Sequence, residues 1–116
     1  PLWSRGLGDV YKRQVERWLD RFPNLYFDTA FADPMSTYRT SGERHARYWN
    51  QTSDWNALMV AKPYRFLAAL DVGGDRMDSI GVRTQNLRAF LRTLPEPTRE
   101  IVAYKAAWKL LFGEEL

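Results

Sequence analysis

The chain has 116 residues, of which 45% are hydrophobic and 15% aromatic, and this composition excludes a disordered tail and suits one packed domain or part of one. It contains no cysteine, which excludes disulfides, thiolate metal sites and a cysteine nucleophile and agrees with a reducing compartment. No apolar run approaches the roughly 20 residues that cross a bilayer, and the first residues lack the apolar stretch of a secretory signal, so we expect a cytoplasmic protein without a membrane partner.

The opening segment, PLWSRGLGDVYKRQ over residues 1–14, accounts for most of the net charge of +3. Residues Ser4–Gln14 resemble the conceptual translation of a transposase-type sequencing adapter, whose mosaic end GAT GTG TAT AAG AGA CAG reads Asp-Val-Tyr-Lys-Arg-Gln. The alternative is a natural basic arm. Without this segment, which holds three basic residues and one acidic residue, 14 basic and 13 acidic residues remain, a net charge of +1. We therefore interpret residues 1–14 as an adapter-derived artefact, expect no nucleic-acid partner, and expect residues 15–116 to continue upstream in the gene.

The first predicted elements are a helix and a short strand. Apolar residues at i, i+3, i+4 and i+7 predict an amphipathic helix that ends at Pro23: Val15, Trp18, Leu19 and Phe22. The aromatic stretch from Asn24 to about Thr29 is typical of a strand and ends on polar side chains.

A loop and a second helical region lead to the second predicted strand. The loop contains Asp33-Pro34 and Ser41-Gly42, and the helical region spans about residues 43–61, with a break near residues 52–53 where Ser53 or Asp54 caps its second half. The continuous apolar run Phe66–Leu70 is typical of a strand buried on both faces, as in a covered parallel sheet.

Two further helices are predicted, over about residues 82–94 and 97–112, with Gly113 ending the second. Their apolar stripes comprise Leu87, Phe90, Leu91 and Leu94, and then Ile101, Tyr104, Trp108, Leu111 and Phe112. Strands separated by helices predict parallel pairing and an α/β fold. Because two parallel strands alone leave two open edges, we expect residues 15–116 to belong to a larger sheet or barrel.

Candidate functional residues follow the two strands, where ligands bind in α/β folds. Asp71 comes directly after Phe66–Leu70, and its carboxylate either coordinates a divalent cation, acts as a base toward metal-bound water, or caps a turn. Asp28 has the same place after the first strand. Its carboxylate either helps to shape a substrate pocket or bonds loop amides in an Asx-turn. Arg76 of the GGDR turn is a candidate for an anionic substrate, or a solvated turn residue. His45, the only histidine, has basic neighbours and is interpreted as a surface residue.

A second interpretation comes from arginines interleaved with aromatic residues in RYWN (residues 47–50) and KPYRF (residues 62–66). Such a surface can stack nucleobases or contact a protein, so a non-catalytic α/β module that binds RNA or a protein partner is the alternative function. No Ser-His-Asp set, Walker-type loop or His-Glu-x-x-His pattern is present.

Three pieces in order resemble the C-terminal part of the amidohydrolase superfamily, in its metal-dependent amidohydrolase-related branch. They are RFPNLYFDTA, RFLAALDVGGD and PEPTREIVAYKAAWKLLF, and together with the first helix they span residues 15–112. Two details depart from the family pattern: Lys105-Ala106-Ala107 stands where many members have an asparagine motif, and Ala68-Ala69-Leu70 precedes Asp71 where Phe-Gly-Ser or Phe-Gly-Thr is frequent.

The resemblance implies that residues 15–116 are the end of a distorted (β/α)8 barrel, with its last two strands. Asp71 then matches the aspartate after the eighth strand, a metal ligand or proton-transfer residue, while Asp28 matches no universal family ligand. The implied enzyme uses a divalent metal, zinc by resemblance, to hydrolyse or decarboxylate a small organic substrate. Because the family's His-x-His and middle-strand histidines are not in this sequence, we expect the 116-residue chain alone to be inactive and poorly folded.

Overall fold

The structure is a computed structural model and describes residues 13–29, 55–70 and 73–116. Helix α1 covers residues 13–21, and strand β1 is Phe27–Asp28. Helix α2 is described over residues 55–61 and is followed by a 3₁₀ turn, Pro63–Arg65, and strand β2, Phe66–Leu67. A second 3₁₀ segment, Gly74–Ser79, leads into helix α3, Ile80–Arg92. The last helix, α4, consists of an α-helical turn Thr98–Glu100, a π-helical turn Ile101–Lys105 and an α-helical part Ala106–Phe112.

The two strands pair in parallel, which confirms the predicted pairing and the mixed α/β class. Phe27 is opposite Phe66 and Asp28 is opposite Leu67. Both strands are shorter than predicted, because neighbouring backbone groups bond elsewhere. The Leu25 carbonyl accepts from the Arg65 side chain, and the Ala68 N–H donates to the Val102 carbonyl of α4.

Every described helix contributes to one apolar core around β2. Its buried members are Val15, Leu19, Leu58, Met59, Phe66, Phe90, Leu94 and Val102. Phe27 packs against this core and stacks on Phe66, with ring centroids 6.2 Å apart. Burial of these apolar groups is the main stabilisation available to so small a sheet, since isolated two-stranded pairs are marginal in water.

The structure confirms α1 and α3 within two residues of the predicted bounds. Gly113 ends α4 in the left-handed conformation, with φ of 71°, as its position in the sequence indicates. The second predicted helix is seen over residues 55–61, whereas its proposed start, break and cap lie outside the described residues. None of the helices in the described segments is long and apolar enough to cross a membrane.

The apolar stripe predicted for α4 is the clearest difference. Tyr104, Trp108, Leu111 and Phe112 are all exposed, and the buried side chains of this helix are Thr98, Ile101, Val102 and Ala106. The buried face of α4 ends at Ala106, and every side chain from Trp108 to Phe112 is exposed, so the C-terminal end of this helix extends past the described core.

Candidate functional site

The carboxyl ends of β1 and β2 lie at one edge of the sheet and are joined by Thr29. Its N–H donates to the Leu67 carbonyl over 3.0 Å and continues the parallel ladder by one residue. Its Oγ1 accepts from the Ala69 N–H at 3.1 Å and donates to the Ala69 carbonyl at 3.4 Å. Thr29 is buried, so water does not readily replace these bonds. We call this set of contacts between Thr29, Leu67 and Ala69 the Thr29 clip.

Helix α4 holds the same segment of chain through its backbone. The Ala68 N–H donates to the Val102 carbonyl over 2.9 Å, and Val102 lies in the π-helical turn. A π turn loosens the regular i to i+4 ladder, so one of its carbonyls can accept a bond from outside the helix. The chain at residues 68 and 69 is thus fixed by the Thr29 clip and by α4, two residues before Asp71.

Asp28 occupies the end of β1, as predicted, and its side chain is exposed. Successive strand residues face opposite sides of the sheet, so Phe27 and Thr29 share the face toward the core and Asp28 points to the other face. The location agrees with a residue at the mouth of an α/β site. It does not place the Asp28 carboxylate on the same face as the Thr29 hydroxyl.

The other candidates from the sequence lie wholly or partly outside the described residues. Asp71, the candidate catalytic and metal-binding residue, and His45 lie outside the described residues. Arg76, the candidate for substrate binding, belongs to the 3₁₀ segment Gly74–Ser79, and its side chain lies outside the described part of the structure. That segment begins at Gly74 with φ of 56°, a left-handed conformation that favours glycine.

The described side chains do not form a metal centre by themselves. Over residues 13–29, 55–70 and 73–116, no group of three His, Cys, Asp or Glu side chains is arranged to hold a metal ion. Asp28, the last residue of β1, is the only described carboxylate at the carboxyl end of either strand. A zinc ion needs three or four ligands, so this edge of the sheet requires donors from other residues to hold one.

Arg65 of the KPYRF stretch is held by contacts within the fold. The Arg65 guanidinium donates to three carbonyls at the end of α1 and beyond: those of Leu19 at 3.2 Å, Leu25 at 2.7 Å, and Phe22. It also lies 5.6 Å from the centre of the Tyr26 ring. A cation satisfies the unpaired carbonyls of a helix C-terminus well, so Arg65 fixes α1 against β2. The RYWN stretch lies outside the described residues.

Two contributors to this site, Thr29 and Val102, have little or no signature in the sequence. Thr29 was visible only as a polar residue at a strand end, and its hydrogen bonds depend on the partner strand. Val102 contributes a backbone carbonyl, which leaves no signature in the sequence at all. Comparison of the chain with models of protein families, with curated proteins and with solved structures finds no match.

Proposed function

We propose that residues 15–116 are the C-terminal portion of a metal-dependent amidohydrolase-type (β/α)8 enzyme that hydrolyses or decarboxylates a small organic substrate. The observation that carries the proposal is the parallel pairing of β1 with β2 through a connection that contains α2. A parallel pair joined by a helical crossover is the repeating unit of (β/α)8 barrels, and their active sites lie at the carboxyl ends of the strands.

In this proposal Asp71 is the metal ligand or the proton acceptor, and Asp28 and Arg76 contribute to the substrate pocket. The Thr29 clip supports the role of Asp71 indirectly, because it fixes the backbone at Ala69, after the end of β2 and two residues before Asp71. Catalytic groups must be held within a fraction of an ångström, and a polar bridge between neighbouring strands is a means of holding them.

The proposed metal is a divalent cation, zinc by resemblance, and it depends on ligands beyond those described. Histidines from earlier strands of the barrel are the donors that the family resemblance implies. Since the sequence has one histidine and lacks the His-x-His of the family, the proposal places the metal in the intact enzyme and leaves the 116-residue chain inactive.

The test is the sequence of the parent gene. A closed barrel takes about 250 residues, so the reading frame is expected to extend upstream of Val15 by roughly 150 codons. We expect that extension to encode a His-x-His early in the protein and at least one further histidine at a strand end. A natural start codon near Val15 would contradict the proposed enzymatic function and favour the alternative, a non-catalytic binding module. An extension without those histidines would indicate a different α/β enzyme.

A further inference from the structure

A surface groove of about 280 Å³ lies between the C-terminal half of α3 and the first turns of α4. Its apolar lining comes from Leu91 and Ala103, both half-buried, and from Tyr104, which is 46% exposed. Small-molecule sites usually have volumes of about 300–1,000 Å³ and enclose most of their ligand, so this groove is better suited to one large apolar side chain of a partner.

The groove also carries positive charge that the described residues leave uncompensated. Arg88 and Arg92 line it from α3, one helical turn apart, and α3 contains no acidic residue. The ion pairs among the described residues, Lys62–Asp20, Arg99–Glu96, Lys105–Glu100 and Lys109–Glu115, include neither of them. Like charges at i and i+4 destabilise a helix, so an external anion has a favourable place here.

The remaining charged residues of the groove are already occupied. Arg99 pairs with Glu96 at 3.2 Å and donates to carbonyls at the end of α3. Glu100 accepts from Lys105 at 2.8 Å. The charge that faces a partner therefore comes from Arg88 and Arg92.

We propose that this groove docks a helix of a partner protein in which one large apolar residue is flanked by acidic residues spaced four apart. The apolar side chain enters between Leu91, Ala103 and Tyr104, and carboxylates one turn apart on the partner pair with Arg88 and Arg92. This arrangement is helix-in-groove recognition with an apolar anchor and a charged rim. RNA is a poorer fit, because residues 15–116 carry a net charge of only +1. The proposal does not depend on the proposed enzymatic function.

The test uses the full 116-residue chain in a sucrose buffer, which favours its compact state. The partner is a fluorescein-labelled synthetic helix of about 18 residues, long enough to be partly helical alone. The peptide carries one leucine flanked by two glutamates at i and i+4, and two further versions carry glutamine or lysine in place of the glutamates. Fluorescence anisotropy measures binding. We expect the glutamate peptide to bind, and the glutamine and lysine peptides to bind at least about tenfold more weakly.

The decisive variant is R88E/R92E, and the chain provides a matched control. Arg13 and Arg17 are also exposed, four residues apart on one helix, so R13E/R17E changes the same charge at the same spacing. We expect R88E/R92E to bind the glutamate peptide at least about tenfold more weakly than the unmodified chain does, and to bind the lysine peptide more tightly. The affinity of R13E/R17E for the glutamate peptide is expected to stay within about twofold of that of the unmodified chain. If circular dichroism shows that charge reversal disturbs folding, the milder R88Q/R92Q replaces it. We expect R88Q/R92Q to lose affinity for the glutamate peptide as well.

Three results would overturn the proposal. One is equal weakening by R13E/R17E and R88E/R92E, because binding would then follow overall charge. Another is tighter binding of oligouridylate than of the glutamate peptide at the same groove. The third is self-association that R88E/R92E abolishes, since the occupant would then be a second copy of this chain.

Discussion

Replacing Thr29 with valine tests the contact that joins the carboxyl ends of the two strands. Valine keeps the shape of threonine but removes the hydroxyl, so the Ala69 N–H loses its acceptor at 3.1 Å. Thr29 is only 9% exposed, and a buried donor without a partner costs about 1–3 kcal/mol. The added methyl group recovers at most about 0.8 kcal/mol. We expect a net destabilisation of about 1–2 kcal/mol.

Hydrogen exchange measured by NMR gives the sharpest assay, because it reports on single amides. The Ala68 N–H, bonded to Val102, is an internal reference in the same segment. In Thr29→Val, we expect protection of the Ala69 amide to fall about tenfold more than that of Ala68. Because the 116-residue chain alone is expected to be poorly folded, the exchange is measured in a sucrose buffer, which favours the compact state.

Thr29→Ser is the control for this prediction. Serine keeps the hydroxyl and removes the methyl group, so global stability falls while the Ala69 amide keeps its protection relative to Ala68. Two results would refute this prediction. One is that both variants reduce the protection of the Ala68 and Ala69 amides equally, and the other is that Thr29→Ser reduces the protection of Ala69 as much as Thr29→Val does.

Three further predictions concern the rest of the described fold. R65M removes three bonds to carbonyls while keeping the aliphatic stem, and it is expected to cost about 1–3 kcal/mol in urea unfolding measured in the same sucrose buffer. R65K is expected to recover only part of this loss. Gly113→Ala forces alanine to φ of 71° and is expected to lower the free energy of unfolding by about 1 kcal/mol. Gly81→Ala lies inside α3 with nothing within 4 Å of the new methyl group, and it is expected to raise that free energy by about 0.5–1 kcal/mol. Equal effects of the two variants would argue against a role for Gly113 in ending α4. The hydrogen bond to Glu100 raises the pKa of Lys105 above 10.5, so the stabilisation is present at neutral pH and is lost as the pH rises through the raised pKa. Unfolding measured from pH 9 to 12 is expected to show that K105M lacks this loss of stability at alkaline pH. A pH profile of stability equal to that of the unmodified chain would contradict the prediction.

The elements that the sequence predicted well are those whose signal is local. Helical spacing predicts the burial of Val15 and Leu19 in α1, and of Phe90 in α3 with Leu94 just after its end, and all four residues are buried. The parallel pairing followed from the helices between the strands, a rule of connectivity that needs no coordinates.

The features that the sequence did not reveal depend on contacts between distant segments. The lengths of β1 and β2 are set by side-chain and helix groups that take the place of ladder bonds, as the Ala68 bond to Val102 illustrates. The exposed ring of Trp108 lies beyond Ala106, the last buried residue of α4, and no hydrophobic period indicates where the described core ends. Of the candidate site, Asp28 and Thr29 could be placed at a strand end in advance, but the bonds from Thr29 to Ala69 could not.

The most direct test of the central claim is the divalent-metal content of the intact protein encoded by the parent gene. The full-length protein would be purified without added metal and analysed by inductively coupled plasma mass spectrometry. An amidohydrolase-type enzyme is predicted to retain about one zinc or other divalent ion per chain. A full-length protein that contains no stoichiometric divalent metal, and takes up none when zinc is added at micromolar concentration, would contradict the account.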